Sequence, residues 1–200
     1  MYALDPAMPW IVVAAMMRQG DKLASYRALA AVLARLRDLP WRVVVAGDGP
    51  ARAEVEAVLE TAAAGRCRFL GELALADLAA VYAACDLCVW PAVNEAYGMA
   101  MLEAQAAGVP VVSCATRGVP DVVEHGRTGL LAPSGDDAAL AQLVRRLLGD
   151  APRRAAMGQA AAAFAGGERG IETAAARLDA ALALAGTGRK ARAQAGNAVR

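Results

Sequence analysis

The chain has 200 residues, enough for one domain with a sizeable core. Its 21 basic and 20 acidic side chains leave a net charge of +1, so charge predicts no nucleic-acid partner. No apolar run is long enough to span a bilayer, and the N-terminus lacks a signal-peptide layout. With four cysteines in or beside apolar runs, we expect a cytoplasmic domain with reduced thiols, and a peripheral contact at the inner membrane face stays open.

Short apolar runs alternate with helical patterns along most of the chain. Strands are predicted at 10–15, 41–46, 67–71, 86–91, 109–114 and 130–133. Helices are predicted at 23–36, 51–63, 77–84, 99–107, 118–124, 137–148, 151–164 and 171–185. This alternation predicts an α/β fold, namely a Rossmann-like doubly wound parallel sheet of about six strands with its ligand at the carboxyl edge.

Both ends of the chain differ from this pattern. Residues 1–9 contain two prolines and no periodicity, which is typical of a linker remnant. Residues 10–185 form the predicted Rossmann-like domain. Residues 186–200 consist largely of glycine, alanine and basic residues with little to bury, so we predict a disordered basic tail.

The loop between the first strand and the first helix carries two cations. Arg18 and Lys22 lie between the carboxyl end of a strand and the start of a helix. In a doubly wound sheet, such loops face the ligand crevice. Both cations are therefore candidates for binding an anion, and the alternative is a solvated surface charge.

Two familiar motifs are incomplete. Gly47-Asp-Gly follows the second strand, but Arg52 stands where a dinucleotide fingerprint needs its third glycine, which argues against a nicotinamide oxidoreductase. Cys85 and Cys88 have the C-x-x-C spacing without a second pair or a nearby histidine, so packing is favoured over zinc. We expect neither a metal site nor a cofactor.

The stretch from residue 94 to 112 contains the most informative pattern. Glu95 lies in the loop before the helix at 99–107, and Glu103 lies about one turn into that helix. The N-terminus of such a helix, near Gly98 and Met99, presents free N–H groups that suit a diphosphate. Carboxylates beside that site would accept hydroxyl groups. Together these features suit a nucleotide sugar.

Three segments in this order resemble one known family. They are Glu95-Ala-Tyr-Gly-Met through Glu103, then Ala107-Gly-Val-Pro-Val-Val, and finally Gly126-Arg-Thr-Gly-Leu-Leu. Over roughly residues 10–150, the chain resembles the C-terminal, donor-binding domain of a retaining glycosyltransferase with the GT-B fold, in group 1 or family 4. The two glutamates match the family's E-x7-E motif.

The resemblance implies a role for each site residue. Glu95, the candidate catalytic residue, would contact hydroxyls of the donor sugar, and Glu103 would hold the ribose. Lys22 would contact the diphosphate. Arg18 would do so only if the loop is shorter by one residue, since the family spacing places Met17 there. The remaining donor-binding positions carried over are Gly47, Leu70, Ala96, Tyr97, Gly98 and Met99.

The implied activity is retaining, metal-independent glycosyl transfer from a nucleotide-diphosphate sugar. The acceptor domain that precedes this domain in the family is missing here, so we expect the chain alone to be inactive. Two alternatives stay open: a stand-alone nucleotide or nucleotide-sugar binding module without turnover, and a fragment of a sugar-nucleotide epimerase. The base, the sugar, the acceptor and the oligomeric state stay undetermined.

Overall fold

The computed structural model describes residues 4–5 and 7–197, with side chains up to residue 184. These described residues contain six strands: β1 (Trp10–Ala14), β2 (Arg42–Ala46), β3 (Cys67–Gly71), β4 (Leu87–Trp90), β5 (Val111–Ala115) and β6 (Gly129–Pro133). The α-helices are α1 (Asp21–Ala34), α2 (Arg52–Ala62), α3 (Leu75–Ala83), α4 (Met99–Ala106), α5 (Val119–Val122), α6 (Asp137–Leu148), α7 (Ala151–Ala163) and α8 (Ile171–Asn197).

The strands form one parallel sheet in the order β3-β2-β1-β4-β5-β6. The chain builds outward from β1 to β3 and then returns, so β4 pairs with the other edge of β1, with Ile11 opposite Leu87. Such a reversal opens a crevice at the carboxyl ends of the two central strands. The predicted fold class is confirmed: a Rossmann-like doubly wound sheet.

The core lies on both faces of the central strands. Residues 11–13 of β1, 43–46 of β2 and 87–90 of β4 are buried throughout, as is typical of parallel strands covered by helices. Helix α1 buries Leu29 and Leu33, and it also buries Tyr26, whose hydroxyl donates to the Ala15 carbonyl at 2.8 Å. Burial of this ring raises the pKa of Tyr26. Helix α1 is thereby tied to the end of β1.

The loops after β1 and β2 interlock. The Met17 amide donates to the Asp48 carbonyl at 2.8 Å, and the Ala51 amide donates to the Met17 carbonyl at 2.9 Å. A Cβ atom on Gly47 would lie 2.0 Å from the Ala15 carbonyl oxygen, and one on Gly49 would lie 2.4 Å from that of Met17. Glycine is needed at both positions because the two backbones touch.

All four cysteines are free thiols. Cys88 and Cys114 are buried, and Cys67 and Cys85 are half-buried. Burial raises the pKa of Cys85 and of Cys88 to about 12 in each case. These thiols stay protonated near neutral pH, which agrees with a packing role.

The C-terminal part differs from its prediction. Helix α7 passes into a π-helical segment, Phe164–Glu168, and α8 then continues to Asn197, beyond the predicted end at Ala185. The tail predicted as disordered is therefore helical up to Asn197, and residues 198–200 lie outside the described part. Alanine, arginine, lysine and glutamine favour helix even where little is buried. Among the described residues, no helix is long and apolar enough to cross a membrane.

The predicted linker, residues 1–9, lies partly outside the described residues, at 1–3 and 6. Its described part is tied to the domain, because the Trp10 indole N–H donates to the Asp5 carbonyl at 3.0 Å. Leu4 also packs against the core. This segment therefore contacts the sheet rather than leading away from it.

We expect Gly47→Ala to destabilise the domain by about 2–4 kcal/mol. The new methyl group would overlap the Ala15 carbonyl, and the backbone φ of 137° adds strain. Gly65→Ala is the matched control, because Gly65 has a φ of 69° but no atom within 4 Å of the added Cβ. It should cost only about 1–2 kcal/mol. Urea denaturation measures both, and equal losses would contradict the proposed clash.

Candidate functional site

A cavity of about 300 Å³ opens at the carboxyl ends of β1 and β4. Its walls come from the β1–α1 loop, the β4–α4 loop and the first turn of α4. The lining residues are Ala14, Ala15, Met16, Lys22, Trp90, Glu95, Ala96, Tyr97, Gly98, Met99, Ala100 and Met101. Six of the predicted site residues therefore meet in one place: Lys22, Glu95, Ala96, Tyr97, Gly98 and Met99.

Lys22 and Glu95 form an ion pair inside this cavity. The Nζ of Lys22 lies 2.6 Å from Oε2 of Glu95, and the side chains are 20% and 17% exposed. The Trp90 indole N–H donates to the same oxygen at 3.4 Å. The Lys22 Nζ also lies 5.5 Å from the centroid of the Trp90 ring, in cation–π geometry. One cation and one carboxylate are therefore held within reach of the same ligand.

The N-terminus of α4 forms another wall of the cavity. Within the described part of the chain, no side chain caps this helix, and its preceding residue, Gly98, has a left-handed φ of 98°. The first turn of a helix has N–H groups without partners in the helix and carries a partial positive charge. Backbone donors and the Lys22 ammonium thus meet at one cavity, a suitable arrangement for a phosphate group.

Strained backbone is concentrated around this cavity. In the described part of the chain, the non-glycine residues with positive φ are Ala92 (59°), Asn94 (55°) and Arg117 (43°). Ala92 and Asn94 follow β4, and Arg117 follows β5, all at the carboxyl edge. Left-handed backbone costs a non-glycine residue roughly 1–2 kcal/mol. Strain of this kind clusters at functional sites, where surrounding contacts maintain it.

Glu103 faces a second, neighbouring groove. It lines a space of about 260 Å³ between α3 and α4, together with Leu75, Leu78, Ala79, Tyr82, Ala106 and Ala107. Burial raises the pKa of Glu103. Among the described residues, its carboxylate has no hydrogen bond or ion pair. The two glutamates of the motif therefore line neighbouring spaces, Glu95 the cavity and Glu103 the groove. The Glu103 carboxylate is available to a ligand.

The other predicted residues lie outside the cavity lining. Gly47 follows β2 and Leu70 lies in β3, at the same carboxyl edge but farther along the sheet. The close approach at Gly47 is to the Ala15 carbonyl. Arg18 is exposed, and Met17, which stands at the family's arginine position, is fully buried. Among the described residues, no cation besides Lys22 therefore lines this cavity.

Sequence reasoning missed several residues that shape the site. Trp90 holds Glu95, and Asp21 and Ser25 of α1 bond to the β4–α4 loop. Ser25 carried a recognisable signal, because it stands one helical turn before Leu29 on the buried face of α1. A polar side chain on that face needs a partner.

Comparison with known proteins identifies the family. The family model described as "Glycosyl transferases group 1" matches residues 9–150. The D-inositol 3-phosphate glycosyltransferase of Corynebacterium diphtheriae is 40% identical over 141 residues, which cover 68% of this chain and 33% of that protein.

Solved structures share the fold. Sucrose-phosphate synthase (tll1590) from Thermosynechococcus elongatus has a TM-score of 0.79 at 24% identity, covering 92% of this chain and 47% of that one. Anabaena Alr3699/HepE in complex with UDP-glucose has a TM-score of 0.71 at 24% identity, covering 89% of this chain and 49% of that one.

The chain therefore belongs to the group 1 glycosyl transferases, and its sheet is one Rossmann-like half of a GT-B fold, as its motifs predicted. It spans about one third of the length of the Corynebacterium diphtheriae relative, since the match covers 33% of that protein. It spans about half of each of the two solved chains, at 47% and 49%.

We expect Glu103→Gln to make the domain more stable at pH 7. Because burial raises the pKa of Glu103, the folded state binds the proton more tightly than the unfolded state. The free energy of unfolding therefore falls as pH rises from the ordinary value of 4.5 through the raised pKa. Solvent screening at this partly exposed group limits the gain to a few tenths of a kcal/mol, or about 1–2 °C in Tm.

Thermal unfolding at pH 4 and at pH 7 measures this effect. The gain should be present at pH 7 and largely lost at pH 4, where Glu103 is mostly protonated in both states. Glu172→Gln, at an exposed position on α8, is the control and should give no such difference. If the Glu103→Gln variant is less stable than the wild type at pH 7, burial of the ionised Glu103 carboxylate does not destabilise the fold.

Proposed function

We propose that this domain binds a nucleotide-diphosphate sugar as the donor of a retaining, metal-independent glycosyltransferase. The observation that carries the proposal is the convergence of Lys22, Glu95 and the uncapped N-terminus of α4 on one cavity. Because such a site offers fixed donors for phosphate and an acceptor for hydroxyls, it fits the centre and the sugar end of that ligand. Membership of the glycosyl transferase family supports the same assignment.

Each group has a distinct task in this proposal. The diphosphate binds at the first turn of α4 and on Lys22, which exchanges Glu95 for phosphate oxygens. Glu95 then accepts hydrogen bonds from hydroxyls of the sugar. Glu103 accepts from the ribose hydroxyls in the adjoining groove, with Leu70 and Gly47 farther toward the base.

The proposed catalysis depends on stabilising the charge of the leaving group. As the glycosidic bond breaks, negative charge grows on the leaving diphosphate. Once the donor is bound, the free N–H groups at the first turn of α4 and the Lys22 ammonium contact the diphosphate, so they stabilise this charge without further reorganisation. In this proposal they take the place of a metal ion. The acceptor binds against a second domain, as the GT-B resemblance implies, and the product retains the anomeric configuration.

Calorimetric titration with UDP-, GDP- and ADP-glucose tests donor binding. We expect one base to be preferred, and the UDP-glucose complex of Alr3699/HepE makes UDP-glucose the first probe. Glu103→Ala should weaken binding of the preferred nucleotide sugar by about 1–3 kcal/mol, because it removes the ribose acceptor. Glu172→Ala is the control and should bind as the wild type does. Absence of binding to every probe at millimolar concentration would refute the proposal.

Glu95→Gln should separate the sugar contact from the phosphate contact. In the ligand-free domain Glu95 forms an ion pair with Lys22, so removing the charge of Glu95 leaves the Lys22 ammonium free to bind phosphate. We expect UDP to bind about fivefold more tightly, which corresponds to roughly 1 kcal/mol for a partly exposed pair. UDP-glucose should lose affinity relative to UDP. Equal weakening of both ligands in parallel titrations would be the contrary result.

A further inference from the structure

The β4–α4 loop does not hold its shape by local bonding alone. Ala92 and Asn94 both have left-handed backbone, at φ values of 59° and 55°, which is costly for residues with a Cβ. A turn bond from the Glu95 amide to the Ala92 carbonyl, at 3.2 Å, is the local contribution. Something outside the loop therefore has to stabilise this conformation.

The first two turns of α1 supply these contacts. The Ser25 hydroxyl accepts from the Val93 amide at 3.0 Å, and it donates to the Asp21 carbonyl at 2.8 Å. The Asn94 side-chain amide donates to the Asp21 carboxylate at 2.7 Å. These bonds join segments that are 68 and 73 residues apart in the chain.

Ser25 is well suited to this task. Its exposure is only 1%, so the hydroxyl is buried, and its two hydrogen bonds are part-buried. Its bond to the carbonyl four residues earlier fixes the hydroxyl rotor, which turns an oxygen lone pair toward the loop. Removal of the hydroxyl would leave the Val93 amide without this partner, and an unpaired amide in such a place is unfavourable.

Lys22 lies on the same helical turn and pairs with Glu95, the next residue of the loop. Thus Val93, Asn94 and Glu95 are each held by a different residue of α1. We propose that Ser25 and Asp21 are positioning residues that set the place of Glu95 for the donor sugar. This inference rests on the proposed function only in that Glu95 is the sugar contact. The bonds from Ser25 and Asp21 to the β4–α4 loop are present in the ligand-free chain.

Loosening of the β4–α4 loop should affect the two ligands differently. Glu95 serves the sugar, whereas the α4 N-terminus and Glu103 serve the nucleotide. A loosened loop should therefore weaken UDP-glucose binding and leave UDP binding nearly unchanged. A residue that matters only for overall stability would affect both ligands alike.

Hydrogen–deuterium exchange of the ligand-free chain is the first arm of the test. We expect Ser25→Ala to speed exchange of the amides at 92–96 at least tenfold while the sheet stays protected, and Ser25→Thr to restore protection. Thr128→Val is the matched control. Thr128 is also a buried hydroxyl that accepts from a backbone amide, that of Glu124 at 3.0 Å, but in a different loop. Its loss should leave residues 92–96 protected.

Titration with UDP-glucose and with UDP is the second arm. In Ser25→Ala, the Kd for UDP-glucose should rise fivefold to tenfold and the Kd for UDP by less than twofold. Asp21→Ala gives the same reading if Ser25→Ala fails to fold, because it removes the acceptor of the Asn94 side-chain amide and leaves the loop residues themselves unchanged.

The outcomes are distinguishable. Unchanged exchange at residues 92–96, faster exchange throughout the domain, or equal weakening of both ligands would overturn the positioning role. If the wild-type chain binds neither ligand but the variants show the expected exchange pattern, the proposed function is refuted. The result would still support the role of Ser25 and Asp21 in holding the β4–α4 loop.

Discussion

The pairing of β1 with β4 creates the site. These strands are separated by more than 70 residues and align through Ile11 opposite Leu87 and Val12 opposite Cys88. Because both strands run parallel and end at the same edge, the loops after them meet. Lys22 follows β1 and Glu95 follows β4, so their ion pair depends on this adjacency. Without the return of the chain to the centre of the sheet, the two charges would lie in unrelated loops.

The positive potential at the proposed phosphate site comes mainly from the backbone. A net charge of +1 gives the whole chain little electrostatic attraction for phosphate. The uncapped start of α4 and one partly buried lysine concentrate positive potential at a single point instead. Glu95 neutralises that lysine in the ligand-free state. The burial of the Glu103 carboxyl, which raises its pKa, is a further cost that the fold carries at this edge.

Stability and local strain are distributed unevenly over the molecule. The central strands are buried on both faces, while left-handed non-glycine residues follow β4 and β5. Interlocked loops after β1 and β2, and the bonds from α1 to the β4–α4 loop, give this edge its rigidity. By contrast, α8 leaves Ile171, Leu178 and Leu182 more than half exposed. Its helical form follows from propensity more than from packing.

Periodicity and composition were sufficient to predict the α/β class, the six strands and the helix that begins near Met99, because these features depend on neighbours in the chain. The motif residues Lys22 and Glu95 were also recognisable, although their direct pairing was not. Only the tertiary structure showed that Ser25 and Asp21 hold the loop, that Trp90 contacts Glu95, and that Glu103 faces a separate groove. The reason is physical: these contacts join side chains and loops whose distance is set by strand order and helix packing, neither of which is encoded in local spacing.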